Sequence, residues 1–300
     1  MSLYKYLRFE RFDVLKNNLI RFTQPNSLND PTELKPKIKR LMSDEFKVNA
    51  LDQAFKESLQ IDVLSKNVTD LFKKDYNITI SQKDIKLSLQ PLFENQSDLM
   101  LSLFSNVRNM LIQVIKYSEL YFVKTFPDIV SNQFGILSLS EECDSIPMWS
   151  HYSSNHRGFI IEFDESSAFF NVNAKGNNDA RGLKKIVYKN EIPTCETLVE
   201  DFNYDKLFFT KGLDWQYEKE WRMVKLLKDA DTVTNEKDEK IYLFKFPSDI
   251  VKGVIFGYKM EKELKDTMID FFKSDSQYKN VRLYNASINE QYFKVDKMEL

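Results

Sequence analysis

No glycine precedes Gly135 in this chain of 300 residues; all 7 lie at positions 135, 158, 176, 182, 212, 253 and 257. A glycine-free half suits helices, because an interior glycine costs roughly 1 kcal/mol relative to alanine. The apolar spacing agrees. Ile38, Leu41, Met42, Phe46, Leu51, Phe55 and Leu59 recur at helical intervals, and so do Leu99, Leu103, Val107, Leu111, Val114, Ile115 and Tyr121. Pro91 and Pro127 punctuate the run. Residues 36–130 are therefore expected to form a helical block of roughly three to five helices.

The period then changes. Short β-rich runs are expected at Phe134–Leu139, Gly158–Phe163, Lys185–Tyr188, Arg222–Leu226, Ile241–Phe246, Gly253–Phe256 and Val281–Tyr284, with turn clusters at 173–179 and 235–238. Helices are expected over Thr197–Lys211 and Glu261–Phe272. Leu3–Phe9 and Leu19–Thr23 read as strands too short to stand alone, so they should join the later sheet. The expectation is one α+β domain over 1–300, in which 1–35 and 131–300 form a mixed or antiparallel sheet core and 36–130 is a helical insertion.

Lys plus Arg (43) nearly balances Asp plus Glu (45), for a net charge of −2. Bulk charge thus argues against a general nucleic-acid or membrane binder. The abundance of aromatics, with 24 Phe and 14 Tyr, reflects an overall bias in composition before it reflects function. Cys143 and Cys195 form no CxxC pattern, so neither a disulfide framework nor a zinc knuckle is expected. The longest apolar stretch, around 99–115, is broken by polar residues and is not expected to span a bilayer. A soluble protein of a reducing compartment, the cytoplasm, is the expectation.

Three segments concentrate chemistry. In Asn29-Asp30-Pro31-Thr32-Glu33 the favoured reading is a helix start, with Asp30 as N-cap, Pro31 at N1 and Glu33 at N3; a binding turn is the other. Met148–Gly158 holds both histidines, His151 and His156, with Trp149 and Tyr152. Their spacing of five does not fit a helical metal pair, and no metal site is expected. This segment reads equally as a ring-stacking, hydrogen-bonding turn or as a buried Trp with capping hydroxyls. In Lys211–Arg222, Trp215 and Trp221 bracket Glu218 and Glu220. On a strand these two carboxylates share a face, so one must be raised in pKa or both must meet a cation such as Lys211 or Arg222. No GxGxxG, GxxxxGK[ST], HExxH or GxSxG motif occurs.

Together these segments resemble a bacterial family known as domain of unknown function 2971. Its Tyr-x-Tyr strand corresponds to Tyr4-Lys5-Tyr6, and its Asn-Asp-Pro-x-Glu to Asn29–Glu33. Its Ser-rich strand leading to Met-Trp-x-His-Tyr and a His-x-Gly strand corresponds to Leu137–Phe163, and its Lys-x3-Trp-x-Tyr-Glu-x-Glu-Trp-Arg to Lys211–Arg222. The resemblance implies that Asn29, Asp30, Glu33, Trp149, Tyr152, His156, Gly158 and Glu220 belong to one site. A looser similarity, to the split-sheet layout of ADP-ribosyltransferases, implies a function. Tyr4 and Tyr6 stand where that layout carries Arg or His, Trp149, His151 and Tyr152 where it stacks the nicotinamide, and Glu220 where it stabilises the ribose cation, with Glu218 as accessory. The expectation is an NAD-consuming enzyme, an ADP-ribosyltransferase or NAD glycohydrolase of the kind found in toxin-like or antiphage defence effectors. NAD is then the substrate, contacted by those residues together with Lys211, Trp215 and Arg222, and a protein or nucleic acid is a possible acceptor. A nucleic-acid-binding protein and a non-catalytic interaction module are the alternatives.

Overall fold

The computed structural model describes residues 1–58, 60–95, 97–171, 182–237 and 239–300. In chain order come β1 (Ser2–Leu7), α1 (Asp13–Asn17), β2 (Leu19–Phe22) and β3 (Lys37–Arg40), then α2 (Asp44–Ser58), α3 (Ile61–Tyr76), α4 (Gln82–Asn95) and α5 (Ser97–Gln133). There follow β4 (Phe134–Ser140), α6 (Ile146–Tyr152), β5 (Phe159–Asp164), β6 (Leu183–Lys185), β7 (Val187–Lys189), β8 (Thr194–Thr197), α7 (Leu198–Asp201), α8 (Tyr204–Phe208) and β9 (Thr210–Gly212). Last come β10 (Glu220–Leu226), β11 (Thr232–Glu236), β12 (Glu239–Lys245), β13 (Val251–Phe256), α9 (Lys262–Ser274), β14 (Arg282–Ile288) and β15 (Val295–Glu299).

The chain divides into two compact units. One comprises 1–37, 126–194 and 203–300. Its 8-stranded sheet runs β15-β14-β13-β5-β1-β4-β10-β6. Only β13 and β14 pair in parallel in this sheet; the other neighbours are antiparallel. The protein is thus α+β with a mixed sheet, as its changing period indicates. Strand alternation sorts the side chains into two faces. Leu3, Leu7, Leu137, Leu139, Phe159, Ile161, Phe163, Met223, Val254 and Phe256 join the main core, with Met268 and Phe272 of α9. On the other face Tyr6, Ile160, Ile255, Tyr284 and Ala286 pack with Met148 and Trp149 of α6. At Gly158 the carbonyl of Leu7 would lie 2.0 Å from an added Cβ, so the turn between α6 and β5 admits only glycine there.

The other unit, 38–125 with 195–202, holds α2–α4 and most of α5. Phe55 and Phe104 meet at 5.7 Å. The Lys47 ammonium is buried and donates to Glu119 at 3.1 Å.

Several local expectations are corrected. Thr197–Lys211 is no single helix: α7 and α8 are separated by extended Phe202 and Asn203, and the Asn203 side chain caps α8 by accepting from the Asp205 and Lys206 amides. Lys211 lies in β9. Lys37–Arg40 is a strand, because it finds backbone partners in β8 that local spacing does not reveal. Lys185–Tyr188 is divided at Ile186 into β6, paired with β10, and β7, paired with β9. Pro91 and Pro127 lie inside α4 and α5. Buried Phe126 and Val130 hold α5 together around the missing amide of Pro127. The turn cluster 173–179, Asp238 and the side chain of Leu99 lie outside the described residues.

Candidate functional site

A cavity of about 260 Å³ opens in the sheet unit where β1 and β4 part. The β1–β5 ladder runs from Ser2↔Asp164 to Leu7↔Phe159, but β1 meets β4 only at Tyr4↔Ser140. Continued pairing would carry Lys5 and Tyr6 past Leu139 and Ser138. Instead the Lys5 ammonium donates to the Ser138 carbonyl at 2.9 Å, satisfying an acceptor the ladder leaves free. Tyr4, Tyr6, Ser138, Ser140, Glu220 and Arg222 share one sheet face, since Glu220↔Ser140 and Arg222↔Ser138 are directly opposite pairs. The two small serines make room between the tyrosines and the charged pair.

The charged groups are buried together. Arg222, fully buried, donates through Nε to Glu220 Oε1 at 2.7 Å, through Nη2 to Glu220 Oε2 at 2.9 Å, and through Nη1 to the Phe208 carbonyl at 2.9 Å. Its Nη2 also donates to Glu33. Lys211 donates to Glu218 Oε2 at 2.5 Å and to Glu220 Oε2 at 3.1 Å. Burial, opposed by Asp30, lowers the Arg222 guanidinium to about 9, still charged at neutral pH. Burial also lowers Lys211, but Glu220 and Glu218 outweigh it and hold the ammonium above its ordinary value. Glu220 is raised, chiefly by burial. Lys5, a half-buried residue, is lowered to about 8 by desolvation of its ammonium, with Glu220 opposing.

Convergence of the carboxylates does not come from strand alternation alone. Glu218 ends a 3-10 turn, Lys219 is left-handed at φ 42°, and Glu220 begins β10. This reversal brings both side chains onto Lys211. The Ser140 hydroxyl secures the turn by donating to the Glu218 carbonyl at 2.7 Å. Tyr152 donates to Glu218 Oε1 at 2.5 Å and accepts from Asn29 Nδ2 at 2.7 Å. Burial and Glu218 push the Tyr152 phenol up, so it stays a donor.

The helix-start reading of Asn29–Glu33 is corrected. Residues 31–34 form turns, with Asp30 Oδ1 accepting from the Thr32 amide at 2.8 Å and from its hydroxyl at 2.7 Å, and Leu34 left-handed at φ 58°. This Asx turn delivers Glu33 to Arg222. The second Glu33 oxygen is buried with no hydrogen-bond partner and lies 3.9 Å from Lys211.

Of the residues singled out in the sequence, Tyr4, Tyr6, Asn29, Glu33, Tyr152, Lys211, Glu218, Glu220 and Arg222 line this cavity. Asp30 lines a neighbouring one of about 320 Å³ that shares Glu33 and Lys211. Trp149, His151, His156 and Trp215 line neither. Trp149 is fully buried beneath Tyr6, 5.6 Å away edge to face, and donates to the Cys143 carbonyl. His156 stacks on Trp149 at 6.0 Å and is pushed down in pKa by burial. Its loop carries three successive left-handed residues, Ser154, Asn155 and His156. His151 is exposed, and Trp215 lies under Lys211 at 4.9 Å. Sequence reasoning missed Lys5, Ser138, Ser140 and Tyr188, whose hydroxyl accepts from the Glu220 amide. The alternation in Leu137-Ser138-Leu139-Ser140 was a usable signal for the serines. Lys5 had none, since alternation assigns it to the apolar face.

Among the described residues no group of three or more His, Cys, Asp or Glu could hold a metal ion, and no helix is long and apolar enough to cross a membrane. No curated protein and no solved structure matches the chain. The comparisons lend no support to the ADP-ribosyltransferase similarity. The Tyr4–Tyr6 and Asn29–Glu33 motifs fall outside a family match that covers residues 148–223 and is described as "Protein of unknown function (DUF2971)". That stretch supplies Tyr152, Lys211, Glu218, Glu220 and Arg222 to the cavity, and over it the chain is similar to the domain of unknown function 2971 family.

Proposed function

We propose that the cavity cleaves the N-glycosidic bond of a small nucleotide, with NAD the first substrate to test. The observation that carries this reading is the convergence of Glu218 and Glu220 with three tyrosines and a lysine of lowered pKa in one cavity. A carboxylate beside the ribose carbon stabilises the positive charge that grows as the C1′–N bond breaks. The bonding electrons leave with the nicotinamide, and water or another acceptor adds to the carbon. Water gives a glycohydrolase; a protein or nucleic-acid nucleophile gives a transferase. The cavity falls just under the ordinary ligand-pocket range of ~300–1,000 Å³, so it suits the nicotinamide and its ribose, not a whole dinucleotide.

The hydrogen bonding exchanges the roles expected of the two carboxylates. Glu220 accepts three charge-assisted bonds from Arg222 and Lys211 and is an anchor. Glu218 accepts one bond on each oxygen, from Tyr152 and Lys211, and keeps lone pairs for a substrate. The unpartnered Glu33 oxygen is an acceptor for a carboxamide N–H. Lys5 offers a cation to a phosphate. Two cysteines far apart in the chain and in no CxxC pattern suit the cytoplasm.

Nicotinamide release from NAD, followed by mass spectrometry with and without lysate, tests the reading. Release is expected from the native protein, with a loss of roughly 10²-fold or more in Glu218→Gln at unchanged melting temperature. Tyr152→Phe should cost less and leave the carboxylate in place. Absence of release together with absence of a thermal shift by NAD sinks the proposal, as does full activity in Glu218→Gln.

A further inference from the structure

α5 has 37 residues, about 55 Å of helix, and uses two of its faces. One is occupied within its own unit: Phe104 packs on Phe55, Arg108 pairs with Asp52 at 3.0 Å, and buried Glu119 holds Lys47. The opposite face carries Leu103, Val107, Met110, Val114, Tyr117 and Tyr121, which range from 44% exposed at Val107 to 80% at Tyr117. Their intervals are four, three, four, three and four. That strict alternation has the 3.5-residue mean period of a coiled-coil seam.

We infer that this stripe is the seam of an antiparallel homodimer, with the two-fold axis at the level of Ile112. The interval pattern is palindromic about that level. A second copy running the other way sets Leu103 opposite Tyr121, Val107 opposite Tyr117 and Met110 opposite Val114. Each such layer matches a larger side chain with a smaller one. A parallel pair would instead stack Tyr117 on Tyr117 and Val114 on Val114, giving overfilled and underfilled layers in turn. The positions flanking the seam include Asn106, Gln113 and Ser118, which carry no charge and bring no repulsion between identical copies. A helix lying on anionic lipid would carry Lys and Arg there. Lys124, the next position of the series, ends the apolar run.

Sedimentation equilibrium of the full chain at micromolar concentration is expected to give the mass of two 35.5 kDa chains. Met110→Glu/Val114→Glu crowds four carboxylates around the axis and should yield single chains with an unchanged far-ultraviolet circular dichroism spectrum. Tyr117→Ala adds no charge and should raise the dissociation constant roughly tenfold or more, which keeps the test open if the first variant misfolds. Leu103→Glu/Tyr121→Lys sets Glu against Lys in the antiparallel pair and should remain dimeric. A native protein that stays single, including one that binds vesicles or a different protein through this face, overturns the inference. So does a dimer indifferent to Tyr117→Ala, or dissociation of Leu103→Glu/Tyr121→Lys.

Discussion

Lys5 illustrates how one residue joins fold and function. Its ammonium closes the gap between β1 and β4 and carries a pKa lowered to about 8 against an ordinary 10.5. The folded state therefore binds fewer protons than the unfolded state between about pH 8 and 10.5, and stability attributable to Lys5 rises with pH across that window. Below it both states hold the proton and the folded state bears the desolvation cost. Lys5→Met is expected to flatten this rise, seen as a smaller difference in urea midpoint between pH 7.5 and 10 than in the native protein. If the two proteins change in parallel, Lys5 is not the titrating group. Under the proposed function the same deprotonation weakens NAD binding above pH 8. Arg222 follows a different logic. A buried ion network is weak evidence for stability, because desolvation offsets most of its attraction. Its value here is geometric: Glu33 and Glu220 come from segments far apart in sequence and are held at fixed positions around one guanidinium.

At the scale of elements, close backbone approaches fix the frame of the site. Gly158 starts the path into β5 with the Leu7 carbonyl directly over its Cα, and Gly257 has a Cβ position only 2.1 Å from the His156 carbonyl. Gly158→Ala must push β1 away from the α6–β5 turn. We expect a destabilisation of about 1–3 kcal/mol, read as a fall in melting temperature, and a weakened Tyr152–Glu218 contact. An unchanged melting temperature would mean that β1 shifts freely. The element boundaries that sequence spacing missed share one cause. β3, β6 and β7 are short strands whose amides are satisfied by partners elsewhere in the chain, and Pro127 is tolerated because Phe126 and Val130 are buried. Propensity is a local quantity and tertiary packing overrides it.

For the whole molecule, the sheet unit has a centre and edges. β5, β1 and β13 carry fully buried residues on both faces, including Leu3, Phe159, Ile160, Ile161 and Val254. Their amides should be the slowest to exchange with deuterium, reporting global unfolding, while those of α2–α4 exchange earlier. Slowest exchange in the helical unit would reverse this order of stability.

Much of the architecture was legible because it is periodic. The glycine-free stretch with its helical spacing marked α2–α5, and short runs rich in β-branched and aromatic residues marked β4, β5, β10 and β13. Residue types also marked Glu33, Tyr152, Lys211, Glu218, Glu220 and Arg222 as unusual. What the chain alone could not reveal was which of these meet. Trp149 and His156 resemble site residues in sequence yet form the packed wall behind Tyr6, whereas Lys5 falls by alternation on the apolar face yet lines the cavity. That distinction depends on where β1 leaves β4 and on the left-handed turn at Lys219. Both are decided by long-range pairing and close packing, which no local window of sequence contains.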